Sequence, residues 1–108
     1  MAKFIHPNLQ DVPLENVLHA LADTSRLAIV RALDQDCRSN HMGLCCSYAA
    51  PGGLPRATIS NHFTVLRNAG LIEGRKEGTK VIYKLRRNEL DARFPGLLDA
   101  VLSASTAS

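Results

Sequence analysis

Between Leu54 and Arg86 a helix with one apolar stripe runs into a basic β-hairpin, and this succession constrains the fold more than any other stretch of the chain. From Pro55 onward a 3.6-residue period places Ile59, Phe63 and Leu66 on the stripe to be buried. Ala57, Ser60, Asn61, Thr64 and Asn68 fall roughly opposite, with Arg56 and Arg67 along one flank and Thr58 and His62 towards the other. A narrow face, uncharged at its centre and cationic at its edge, suits the major groove of duplex DNA. There, short hydroxyl and amide groups reach base edges while arginines take guanine edges or phosphates. Taken alone, the same helix is equally an ordinary half-polar surface helix. Pro55 in the first turn and Gly70 just past the last specify both ends.

The residues that follow decide between these alternatives. Leu71, Ile72 and Glu73 lead through Gly74 to Lys80 into Val81, Ile82, Tyr83, Lys84, Leu85 and Arg86, two β-rich runs around a glycine-containing turn. Val81, Tyr83 and Leu85 alternate with Ile82 and Lys84, so one face can lie on a core. Arg75, Lys76 and Lys80 outnumber Glu77 at the tip, which makes it a mobile cationic finger able to reach phosphates or the adjacent minor groove. Directly after a polar-faced helix, such a hairpin reads as a wing. The expected fold class is mainly α with a β-hairpin wing, a winged helix-turn-helix.

The remaining segments supply the frame. Pro13 precedes Leu14, Val17, Leu18 and Leu21, an i, i+3, i+4, i+7 stripe that predicts a first helix. Asp23 or Thr24 caps a second, which carries Leu27, Ile29, Val30 and Leu33 inside with Arg26 and Arg31 outside. A short third helix is expected around His41 to Ala49, handing over through Pro51-Gly52-Gly53 to the polar-faced helix. After the hairpin, Asn88 is expected to cap a helix bearing Leu90, Phe94, Leu97, Leu98, Val101 and Leu102, kinked or restarted at Pro95. That stripe is wider than packing on one small domain requires. Leu14, Val17 and Leu18 of the first helix are therefore expected to pair with Phe94, Leu97, Leu98 and Val101 of a second subunit, the alternative being a terminal helix folded back on its own core. Such a two-fold protein presents two reading helices about one DNA turn, ~34 Å, apart.

Composition sets outer bounds. One domain spanning residues 1–108 is expected, large enough for a single core. The net charge of +3 fits a nucleic-acid partner, and most of the basic residues lie between Arg56 and Arg87. No apolar run approaches the ~20 residues of a membrane span, and no signal-peptide pattern opens the chain, so a cytoplasmic location without membrane attachment is expected. The tail from Ser103 to Ser108 reads as disordered.

Several runs together closely resemble the ArsR/SmtB winged helix-turn-helix repressors. They are Leu21-Ala22-Asp23-Thr24-Ser25-Arg26-Leu27, Thr58-Ile59-Ser60-Asn61-His62-Phe63, Val65 to Ile72, Arg75 to Thr79, and Tyr83. The resemblance spans roughly Leu14 to Leu102, although the Gly-Gly turn is long for the family. It implies a homodimeric repressor that binds an imperfect palindromic operator in double-stranded DNA and is released by an inducer. On this reading Arg56, Thr58, Ser60, Asn61 and His62 face the groove, Arg67 holds phosphate, and Arg75, Lys76 and Lys80 anchor the wing.

Three cysteines, an odd number, argue for thiols and against a disulfide framework. Cys45 and Cys46 fall where metal-responsive members of the resembling family carry Cys-x-Cys, but here the two are adjacent and point about 100° apart on a helix. His41 and Cys45, with Cys37 as a third ligand, form the better chelating set for arsenite or Zn. Inert packing of the cysteines and thiol sensing of an oxidant remain open alternatives. No nucleophile and base lie at a useful spacing, so no enzymatic activity is expected. Two other functions stay open: a winged-helix protein-interaction module, and a thiol- or metalloid-responsive sensor in which the cysteines control DNA binding.

Overall fold

A computed structural model describes residues 6–39 and 43–105. A 3-10 turn (Leu9–Asp11) precedes α1 (Leu14–Leu21), α2 (Thr24–Arg38), α3 (Cys46–Ala49) and α4 (Arg56–Asn68). The hairpin strands β1 (Ile72–Glu77) and β2 (Lys80–Leu85) follow, and then α5 (Arg87–Arg93) and α6 (Leu97–Ser105). The core forms around α2, whose Ile29, Val30 and Leu33 are buried with Val17 and Leu21 of α1, Phe63 and Leu66 of α4, Leu85 of β2, Leu90 of α5 and Leu98 of α6. The expected helical wing architecture is observed.

Local chemistry explains where the elements start and stop. Asp23 caps α2, its Oδ2 accepting from the Arg26 backbone N–H at 3.0 Å. That bond is the main cause that holds the Asp23 carboxyl below the usual carboxylate range. At the end of α4, Gly70 adopts φ +79, its N–H donates to Arg67 O, and the Leu71 N–H donates to Leu66 O, which is a Schellman closure. A Cβ on Gly70 would stand 2.5 Å from Leu9 Cδ2 in a left-handed backbone conformation. Gly70→Ala is therefore expected to destabilise the protein by about 1–3 kcal/mol. An unchanged thermal midpoint would mean that Leu9 and the turn give way freely.

Some boundaries depart from the sequence expectation. The third helix shrinks to Cys46–Ala49, because Leu44 is drawn into the sheet: its N–H donates to Tyr83 O at 2.9 Å, and it accepts from the Tyr83 N–H at 2.8 Å. His41 lies outside the described residues. The hairpin is tighter than a cationic loop from Gly74 to Lys80, since Glu77 pairs with Lys80 and only Gly78 (φ +62) and Thr79 form the turn. Arg75 and Lys76 are thus strand residues. Gly74 pairs with Tyr83, and outward backbone groups of this pair are engaged: the Tyr83 N–H and C=O by Leu44, and the Gly74 N–H by His6 Nε2, which accepts it at 3.0 Å.

The terminal stripe divides at Pro95 and Gly96 (φ +81) into two helices, as a proline there demands. Asn88 does not cap the first of them. α5 begins one residue earlier, with Arg87 placed to donate to Asp34 at 2.8 Å and Asp91 at 3.1 Å and to pair with Asp99. Arg38 bonds Asp34 at 2.8 Å, so one charge network joins α2, α5 and α6. α6 continues to Ser105, past the expected start of a disordered tail at Ser103; residues 106–108 lie outside the described set.

Candidate nucleic-acid interface

α3 and α4 are joined by residues 50–55, in which Gly53 takes φ +84 and a glycine pair lets the chain turn in open space. α4 then presents two sides. Phe63 and Leu66 are buried, with Ile59 and Val65 packed against the core. Arg56, Ala57, Ser60, Asn61 and Asn68 are exposed, while Thr58 and Thr64 are half-buried beside them. The ring of Phe63 lies 4.5 Å from that of Tyr83 at 41°, which fastens the inner side of α4 to β2. The Gly74 position keeps this contact clear, since a Cβ there would come within 3.0 Å of the Tyr83 ring. Burial pushes the Tyr83 hydroxyl upward in pKa.

The hairpin carries its cations to an exposed end. Lys76 and Lys80 are exposed, and Arg75 donates from Nε to Glu77 Oε2 at 2.7 Å, so its charge is partly compensated. Lys80 is close enough to contribute to lowering the Cys45 thiol pKa, after the larger effect of the Ser47 hydroxyl, whose Oγ lies 3.1 Å from Sγ. The wing tip and the start of α3 therefore neighbour each other. Tyr48 on α3 is 76% exposed.

One expected groove contact moves inward. His62 is only 9% exposed and faces Arg26 and Asp23, one residue beyond the outward-facing Asn61. The helical period had left it on the flank, and the long-range partner Arg26 draws it to the supporting side. Arg67 is half-buried on the flank of α4, near enough to act electrostatically on Tyr83. Arg26, expected outside, is itself half-buried.

The expected subunit contacts also separate into two groups. Val17 and Leu98 are buried in the core of their own protomer, which corrects their assignment to a partner surface. Leu14 and Leu18 stand 43% and 44% exposed one helical turn apart, and Phe94, Leu97 and Val101 are half-buried. The cysteines are not brought together as a chelating site. Cys37 lines a small cavity with Glu73, Lys84, Arg87 and Asn88, whereas Cys45 and Cys46 lie at the start of α3. Among the described residues no group of three or more histidines, cysteines or carboxylates could hold a metal ion. Also among them, no helix is long and apolar enough to cross a membrane.

Comparison with known proteins adds to this geometry. The chain is 33% identical over 99 residues to the HTH-type transcriptional regulator CmtR of Mycobacterium tuberculosis, spanning 91% of this chain and 79% of that protein. It is 32% identical over 88 residues to the HTH-type transcriptional regulator YceK of Bacillus subtilis, spanning 79% and 82%. The HTH-type transcriptional repressor SmtB of Mycobacterium tuberculosis is 33% identical over 88 residues, spanning 82% of this chain and 59% of its own. A crystal structure of an ArsR family transcriptional regulator shares the fold with TM-score 0.62 and 19% identity, covering 94% of this chain and 93% of that one. No family model matches the chain.

Proposed function

This chain belongs to the ArsR/SmtB family of winged helix-turn-helix transcriptional regulators, and from that premise we propose that it acts as a homodimeric repressor of an imperfectly palindromic operator, released by an inducer. The observation that carries the DNA-reading surface is the outer side of α4. There Ser60 and Asn61 stand exposed and uncharged behind Arg56 at the helix start, and the wing offers Lys76 and Lys80 alongside. Thr58 completes the edge of this face. Asn61 is the residue best suited to an adenine edge, which an amide can meet with two hydrogen bonds. Lys76 and Lys80 contribute phosphate attraction that is blind to sequence. His62 faces the supporting side and is not among the contacts, while Arg67 on the flank remains a candidate to hold phosphate.

A second copy of this chain is the partner proposed for α1. Leu14 and Leu18 form an apolar pair on the outer side of a helix whose inner side is already committed to the core through Val17 and Leu21. The half-buried Phe94, Leu97 and Val101 provide the matching apolar positions.

Two substitutions separate readout from attraction. Asn61→Ala is expected to lower operator affinity by about 1–3 kcal/mol and to relax sequence preference. Lys76→Ala is expected to weaken operator and random duplex alike and to flatten the salt slope by about one unit. The checks are titrations of both duplexes over a range of salt concentrations. Wild-type behaviour from both variants would show that the assigned face is wrong.

A further inference from the structure

The guanidinium of Arg26 joins three helices. From the first turn of α2 its Nε donates to Ala20 O at 2.7 Å and its Nη2 to His19 O at 3.3 Å, both acceptors in the last turn of α1. Such carbonyls are the unsatisfied, negatively polarised end of a helix, and a cation meets them favourably. The remaining fork reaches across to α4, with Nη1 3.3 Å from His62 Nδ1. Arginine has donors only, so Nδ1 is the acceptor and the imidazole proton resides on Nε2. That nitrogen faces Asp23 Oδ2 at 4.0 Å, the same oxygen that caps α2. A planar guanidinium holds its donors at fixed angles, so it transmits orientation between its acceptors where a lysine would not.

The position of His62 gives this node its significance. It is buried on α4 beside the exposed Asn61 and two residues from Ser60, so any rotation of α4 that moves the imidazole also moves both outward side chains. At the other end of the node lies α1, whose outer side carries Leu14 and Leu18. We propose that Arg26 is a positioning residue for DNA recognition, setting the rotation of the reading helix relative to α1 through its bond to His62. The proposal rests on the DNA-reading function above. The bond fixes how two reading helices are aimed once α1 has joined two copies, while making no contact with DNA.

The test uses the full chain and the duplex that wild-type protein enriches from a randomised library, against a scrambled duplex of equal length. His62→Leu is expected to lower the preference for the enriched duplex about tenfold, the effect of one lost charge-assisted hydrogen bond, and Arg26→Lys by at least as much, since it also disturbs the bonds to Ala20 O and His19 O. Affinity for the scrambled duplex and the salt slope should stay at wild-type values, since no phosphate contact is removed. The double variant should be no worse than Arg26→Lys alone, because the contact that His62→Leu removes is already lost there. His62→Gln, whose amide oxygen can accept from Arg26, should recover most of the preference. Losses that multiply in the double variant, or an unchanged preference in both singles, overturn the proposal. Should Arg26→Lys fail to fold, the comparison of His62→Leu with His62→Gln decides alone, and equal preference in those two overturns it. A wild-type protein that enriches no duplex removes the DNA-reading function itself, a failure distinct from that of the positioning bond.

Discussion

Replacing Leu14 and Leu18 together with glutamate is expected to leave a folded monomer that binds its operator about a hundredfold more weakly. The two leucines are 43% and 44% exposed in the isolated chain and contribute little to its own core, whereas Val17, Ala20 and Leu21 on the same helix are buried. Glutamate at position 14 suits the helix dipole while at position 18, in the last turn, it opposes it, so a modest loss of stability is expected with the buried side of α1 intact. The loss arises from linkage. In the proposed dimer, two reading helices engage two half-sites with a high effective concentration, and separate copies forfeit it. Sedimentation at micromolar concentration checks the assembly, and operator titration checks the consequence. Wild-type protein that sediments as a monomer, or a variant that keeps wild-type affinity, would remove the dimer from the mechanism.

Phe63→Ala is expected to destabilise the chain by about 3–5 kcal/mol, a large fraction of what a domain of this size possesses. The ring is 2% exposed and is the largest of the fully buried side chains. It bears on Tyr83, which is held in turn by the Leu44 bridge, so the truncation opens a cavity where α4, β2 and the Leu44 rung converge. The midpoint of thermal unfolding should fall by roughly 15 °C or more. Phe63→Leu should retain most of the stability, because it keeps much of the buried volume. A loss below about 1 kcal/mol for the alanine variant would show that the wing and the reading helix are fastened elsewhere.

These results mark which parts of the fold local sequence can carry. The ends of α4 were legible because proline and glycine act through their own backbones, and the break before α6 was legible for the same reason at Pro95. The apolar stripes of α1 and α4 followed from helical period. Their depth did not. A period of 3.6 residues tells which side is apolar, but it does not distinguish burial under the same chain from burial under a copy. Val17 and Leu98 therefore fell on the wrong side of that division. His62 escaped because its partner lies 36 residues away and only the assembled helices bring Arg26 to it. Leu44 escaped because one rung of sheet has no periodicity at all. The start of α5 at Arg87 reflects ion pairs to α2 and α6 that outweigh the capping preference of Asn88.

The two flanking bonds at the Gly74–Tyr83 pair bear on how the wings of separate copies can meet. A bare two-stranded ribbon presents open margins that recruit strands from neighbouring molecules. Here an imidazole occupies one margin and a backbone rung the other, midway along the hairpin. At that rung a strand of a neighbouring copy meets bonding groups already engaged, so edge-to-edge pairing of wings is interrupted midway along the ribbon.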